Sequence, residues 1–216
     1  MQEFINSIIA HLNSSINEFG SASIVTCGGS SPINIFKQLS LRDDIDWSNV
    51  NLTLLDDRKV SIDHPDSNEK LLIDHFAKNS AQNINIVSLC NSPNEVLEIK
   101  RPFDIMLIGL GGDGHFASLF PELVNNKECF DIDANPEILF LGEMGDPKHE
   151  RVSMNLSLIL QSKKIILISS SDQKNKIIEQ AFTDKALPLY YLLNQNIAEI
   201  DIYDLANSKP LYFQGS

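Results

Sequence analysis

Four glycines within six residues surround an aspartate and a histidine in the run Gly109-Leu-Gly-Gly-Asp-Gly-His-Phe-Ala-Ser-Leu-Phe-Pro121. That density asks for unusual backbone angles or for very close approach of a ligand. An imidazole titrates near neutral pH, so His115 can take a proton from water and return it to a leaving group. Asp113, two residues earlier, can orient that ring or support its charged form; it is also a credible turn former of a glycine loop. The other histidines are weaker candidates. His11 and His75 fall inside amphipathic helices, and His64 and His149 lie in polar loops, so each is expected to be a surface residue.

Three further segments carry groups suited to an anion. Cys27-Gly-Gly-Ser-Ser-Pro32 offers Gly28, Gly29, Ser30 and Ser31 at a strand-to-helix junction. Free N–H groups and hydroxyls there favour a phosphate, although a tight turn with a serine N-cap accounts for the same residues. The segment lacks the GxxxxGK[ST] and GxGxxG patterns of nucleotide sites. Lys148 and Arg151 are two cations spaced by three residues. Lys174, in Ser171-Asp-Gln-Lys174, sits in the first turn of a helix, against the helix dipole, which hints at an anion beside it; Asp172 is the expected N-cap. Asp56-Asp57-Arg58 could be a metal site, a general base, or a solvated turn before a helix capped by Asp66 or Ser67. No His/Cys cluster with ligand spacing accompanies these acids, so no metal is expected.

The elements that must position these groups are legible as short apolar runs alternating with amphipathic stretches. Strands are expected at 23–27, 51–55, 103–108 and 165–168, with weaker ones at 84–87, 137–141 and 198–203. Helical spacing covers 4–19, 32–40, 67–78, 155–161 and 172–183. Strands apolar throughout and separated by helices imply an α/β fold: a three-layer, mostly parallel central sheet with helices on both faces. In such sheets the ligand lies beyond the carboxyl ends of the strands. Four of the strands run directly into the polar or glycine-rich segments, which should therefore converge on one cleft, with His115 where the third loop turns into a helix.

The chain has 216 residues and no internal repeat or linker, so a single domain over 1–210 is expected. Residues 211–216 (Leu-Tyr-Phe-Gln-Gly-Ser) read as the remnant of an expression tag. The net charge of −12 repels nucleic acid and anionic membranes, so an anionic substrate must be caught by a local cluster of cations. There is no basic leader and no apolar run of about 18 residues. An odd count of three cysteines points to reduced thiols and a cytoplasmic setting.

Together these segments resemble the 6-phosphogluconolactonase family, within the glucosamine-6-phosphate isomerase/deaminase-like superfamily. The family pattern is Gly-Gly-Ser-Thr-Pro, then Asp-Glu-Arg followed by Ser-Asn, then Gly-x-Gly-x-Asp-Gly-His-x-Ala-Ser-Leu-Phe-Pro, then Arg-Val-Thr and a late Gly-x-x-Lys. Here these read Gly28-Gly-Ser-Ser-Pro32, Asp56-Asp-Arg58 with Ser67-Asn68, the 109–121 run, Arg151-Val-Ser153 and Ser171-Asp-Gln-Lys174, in the same order. Asp57 stands in place of Glu, Ser31 and Ser153 in place of Thr, and Ser171 in place of Gly.

The resemblance implies hydrolysis of 6-phospho-D-glucono-1,5-lactone to 6-phosphogluconate, the second step of the oxidative pentose phosphate pathway, without a cofactor. It implies His115 as general base and later proton donor to the ring oxygen, with Asp113 supporting it. Arg151, Lys174 and the Gly28–Ser31 loop would hold the phosphate, with Lys148 a further member of the group. Arg58 would bind either the phosphate or the carbonyl oxyanion, and Asp56 either sugar hydroxyls or Arg58. Ser118 is expected to be a packing or helix residue rather than an acylated serine. The partner is a phosphosugar lactone, with neither nucleic acid nor membrane, and the chain a monomer or small homo-oligomer. Relatives acting on glucosamine 6-phosphate have Phe-Asn-Glu-Pro after the Gly-His segment; Ser118-Leu-Phe-Pro121 lacks that acid. A sugar-phosphate-binding regulatory module and a nucleotide-dependent enzyme of doubly wound fold are the readings from other classes.

Overall fold

The computed structural model describes residues 1–212; residues 213–216 of the tag-like tail lie outside the described residues. In chain order the elements are α1 (Gln2–Phe19), β1 (Ala22–Thr26), α2 (Ile33–Ser40), β2 (Val50–Leu54), β3 (Asp56–Arg58), α3 (Asn68–His75), β4 (Asn85–Ile86), α4 (Pro93–Glu98) and β5 (Ile105–Ile108). There follow α5 (Lys127–Phe130), β6 (Ile138–Met144), β7 (His149–Met154), α6 (Leu156–Ile159), β8 (Ile165–Ser169), α7 (Asp172–Ala181), α8 (Pro188–Leu193), β9 (Ile200–Asp204) and β10 (Lys209–Leu211).

The long first helix forms because Phe4, Ile5, Ile8, Ile9 and Leu12 recur on one face and are all buried. It stops at Gly20, whose left-handed φ of 79° lets its N–H return to the Ile16 carbonyl at 2.8 Å. β1, β5 and β8 are buried along their whole length, as central parallel strands must be. Seven strands lie in the order β10-β9-β8-β5-β1-β2-β4, parallel except for β10 against β9. The chain starts at the centre, moves outward through β2 to β4, then crosses back to place β5 on the other side of β1. The order reverses between β1 and β5, and the crevice beyond their carboxyl ends is the switch point at which open α/β sheets bind ligands. Thr26 is the last paired residue of β1, in register with Leu54 and Leu107, so the glycine loops after β1 and β5 leave the sheet side by side.

Several expectations need correction. The polar segment at 149–153 is not a loop but part of the strand β7, which pairs antiparallel with β6 and with β3 in a separate three-stranded sheet; residues 147 and 148 lie in the turn before it. The acids at 56–58 are that sheet's edge strand rather than a solvated turn. Alternation was hidden because the outer half of β6 and the start of β7 carry glycine and charged side chains at partly exposed positions. His115 does not open a helix: the chain from 109 to 120 runs through turns, and the next helical residues are the 3₁₀ turn Pro121–Leu123. Pro32, not a serine, occupies the N-cap of α2, and no side chain caps it. Ser171 rather than Asp172 caps α7, accepting from Lys174 N–H. Ser67 caps α3 as anticipated. Leu211, set aside with the tail, pairs with Ile202 at the sheet edge.

At the opposite end of β5 from the site, Asp104 is buried and acts as a clasp. Its carboxylate accepts from Ser15 Oγ at 2.5 Å, Ser23 N–H at 2.8 Å and Lys163 Nζ at 2.7 Å, joining α1, β1 and the entry to β8. Asp104→Ala strands these donors and should cost about 3 kcal/mol. A fall in Tm of roughly 6–12 °C with unchanged kcat, measured by thermal denaturation and steady-state kinetics, is expected.

Candidate active site

The loops after β1 and β5 and the edge of the small sheet enclose a cavity of about 260 Å³, slightly below the range of about 300–1,000 Å³ common for ligand sites. Gly28, Gly29, Ser30 and Ser31 line it from one side, His115, Ala117 and Phe120 from another, and Asp56, Arg58, Arg151 and Lys174 complete it. Convergence of segments far apart in sequence is thus observed for nearly every anticipated residue. Asp113 does not itself line the cavity but bonds to His115, which does; Lys148 is the one residue left apart. Its side chain is exposed, faces Glu143 at 3.7 Å and does not line the cavity. A larger cavity of about 490 Å³ lies between α1 and the β9–β10 edge, but its walls hold no histidine, arginine or glycine loop and its Lys164 is already paired with Asp201.

His115 is held in one orientation. Its Nδ1 lies 2.5 Å from Asp113 Oδ1, which also accepts from the His115 amide. The hydrogen bond from His115 holds the Asp113 carboxyl below its ordinary range, against the opposing effect of burial. With Nδ1 donating to this carboxylate, Nε2 is left as the proton acceptor. Gly111 makes room for the ring: a Cβ there would lie 2.1 Å from His115 Cε1. On the other face Phe120 packs at 4.4 Å between ring centroids, and the Arg151 guanidinium lies 5.7 Å from the same phenyl ring. The same phenyl ring thus lies beside both the base and a cation. Ala117 adopts φ 50°, a left-handed conformation costly for a residue with a Cβ.

The two arginines come from neighbouring strands, where Arg58 and Arg151 are directly opposite in the ladder. Like charges in that relation repel. Arg151 is fixed by the Met144 and Pro147 carbonyls at 3.1 and 3.0 Å; burial first, then the Arg58 charge, lowers its pKa. Arg58 Nη1 donates to the Asp66 carbonyl at 2.8 Å and to Asn68 Oδ1 at 3.2 Å, while its Nε is buried without a partner among the described residues. Lys174 Nζ reaches Ser31 Oγ at 3.4 Å, and burial lowers its pKa too. Three cations with incompletely satisfied donors, facing one cavity of an acidic protein, amount to an anion site.

The contacts through which other residues support the site were not foreseen. Asn68 packs on Gly28 so closely that a Cβ at position 28 would lie 1.9 Å from its Oδ1, and it links Arg58 to the Asp56 carbonyl. Ser118 is buried and donates to Asp56 Oδ2 at 2.7 Å, in keeping with a packing role. Asp57 accepts from the amides of Arg58, Asn68 and Glu69 at 2.7, 2.7 and 3.0 Å, joining β3 to the first turn of α3. Cys27 lies in the cavity wall, but burial pushes its thiol up to about 12, so it supplies no thiolate. Phe120 and Asn68 carried a sequence signal, since both stand within motifs; Asp57's three-amide grip carried none.

A family model described as glucosamine-6-phosphate isomerases/6-phosphogluconolactonase matches residues 1–200. The 6-phosphogluconolactonase of Neisseria meningitidis is 30% identical over 208 residues, covering 89% of each chain. That of Helicobacter pylori is 28% identical over 208 residues, covering 90% of this chain and 88% of its own. The crystal structure of a 6-phosphogluconolactonase from Shewanella baltica superposes with a TM-score of 0.83 at 30% identity, over 94% of this chain and 91% of that one.

Burial, partly offset by the three amides, raises Asp57 to about 6. An acid raised on folding contributes stability below its unfolded pKa, and that contribution is lost as pH rises through the folded value. Native stability relative to Asp57→Asn, which cannot titrate, should therefore fall by about 2 kcal/mol between pH 4 and 7, as read from urea unfolding at a series of pH values. Parallel profiles would contradict it.

Proposed function

The chain belongs to the glucosamine-6-phosphate isomerase/6-phosphogluconolactonase family, and within it we infer a 6-phosphogluconolactonase that hydrolyses 6-phospho-D-glucono-1,5-lactone to 6-phosphogluconate. The observation that carries this reading is the meeting, in one cavity, of a carboxylate-oriented imidazole with two guanidinium groups set opposite each other in a strand pair. A cyclic ester bearing a phosphate at its far end needs both. The rival isomerase/deaminase chemistry calls for a carboxylate after the Gly-His segment; here Phe120 packs on His115 at that place, and Ser118 turns away to Asp56.

Arg151, Lys174 and the Gly28–Ser31 loop hold the 6-phosphate. Arg58 joins Arg151 on the same anion, because the strand register sets the two directly opposite each other and both line the cavity. With the phosphate anchored, the lactone carbonyl lies toward His115. Nε2 removes a proton from water as its oxygen bonds to the carbonyl carbon. The tetrahedral adduct then collapses, the bond from that carbon to the ring oxygen breaks, and imidazolium Nε2–H protonates the departing oxygen. His115 is returned neutral, and the product is an open-chain acid with a free hydroxyl. Asp113 stabilises the transient imidazolium through Nδ1 and stays ionised throughout. The lactone is an activated ester, so no covalent nucleophile is needed, and neither Ser118 nor Cys27 is placed to be one. Three free cysteines suit a reducing, cytoplasmic setting, and among the described residues no helix is long and apolar enough to cross a membrane.

His115→Ala should lower kcat by ~10²–10⁴-fold with KM little changed, whereas Arg151→Ala should raise KM by roughly 10–100-fold. The measurement generates lactone in situ and follows acid release above the spontaneous rate. Full turnover by His115→Ala would remove the assigned base.

A further inference from the structure

The histidines at 64 and 149 do not behave as the isolated surface residues their sequence positions suggest. His149 Nε2 lies 2.8 Å from Asp66 Oδ2, and His64 Nδ1 lies 3.7 Å from the same oxygen. The three donor atoms all fall within 4.8 Å of one another, and among the described residues no other such group exists. The cluster was invisible in the sequence because Asp66 and His149 are 83 residues apart. It forms where the start of β7 passes the loop between β3 and α3.

We propose that His64, Asp66 and His149 form a binding site for a divalent cation of the zinc class. Two imidazoles and one carboxylate are the donor set such ions select. Zinc bonds of about 2.0–2.2 Å place tetrahedral donors roughly 3.3 Å apart, so the observed spacings bracket what an ion requires. His64 Nδ1 accepts a hydrogen bond from the Asp66 amide at 3.1 Å, which holds the ring beside the carboxylate; an ion in the cluster would take over that lone pair. The two rings meet edge to face at 5.6 Å, which keeps their nitrogens from stacking out of reach. All three side chains are partly exposed, so an ion can enter and water can fill a fourth position. The Asp66 carbonyl is the acceptor of Arg58 Nη1. An ion held by the Asp66 carboxylate would thus fasten the loop that carries an acceptor for a cavity-lining arginine.

The test is calorimetric titration of the chelator-treated full chain with zinc chloride, alongside visible absorption on adding cobalt(II). The native protein should take up one equivalent, show the d–d bands of a tetrahedral cobalt(II) site, and gain thermal stability with added zinc. His64→Ala and His149→Ala should each weaken binding by at least about tenfold, while His115→Gln, which disables the other histidine–carboxylate pair, should bind as the native chain does. His64 stands on a partly exposed loop, so its variant carries the test even if His149→Ala folds poorly. Absence of saturable uptake, equal affinity in His64→Ala, or loss of uptake in His115→Gln would each overturn the proposal.

Discussion

Two guanidinium groups set directly across a strand pair repel each other, and much of this molecule is organised to keep them there. The Met144 and Pro147 carbonyls hold one, and the Asp66 carbonyl and Asn68 side chain hold the other. Each supporting group needs support in turn. Asn68 is fixed because its amide and that of Glu69 are gripped by Asp57, which leaves the first turn of α3 no freedom to drift from β3. Gly28 is bare because the Asn68 carboxamide occupies the space of a side chain. Without an anion between them, the two arginines are a standing electrostatic cost; with one, the same geometry becomes a clamp. Strain of this kind is tolerated where function requires it and the surroundings over-determine it.

The two ends of the central sheet divide the work. At the amino end of β5, Asp104 is saturated with donors and faces no sizeable ligand cavity with a base, so its charge serves cohesion alone. At the carboxyl end, Asp56, Arg58, Arg151 and Lys174 line the ligand cavity, and the Arg58 Nε is buried without a partner among the described residues. A buried charge is informative through what it lacks.

The parallel sheet was legible because its central strands are apolar without interruption, a pattern that a buried α/β core demands and a solvated strand does not. Glycine runs at the strand ends located the crevice for the same reason: backbone that must approach a ligand cannot carry side chains there. The small antiparallel sheet was not legible. β3 and the first half of β7 read as Asp-Asp-Arg and His-Glu-Arg, since one side of that sheet lines a polar cavity and periodicity of apolar residues never develops. Lys148 was misplaced by the same blindness: once Arg151 is on a strand rather than a loop, three residues of spacing carry the lysine into the turn and away from the cavity. The His64–Asp66–His149 group lay beyond reach because only tertiary pairing makes it.

The sulfur of Cys27 is walled into the cavity and kept protonated far above neutrality. Electrophiles that enter would meet no reactive thiol, and mild oxidants would find little thiolate to attack. A ligand of this cleft therefore gains no covalent hold from that sulfur.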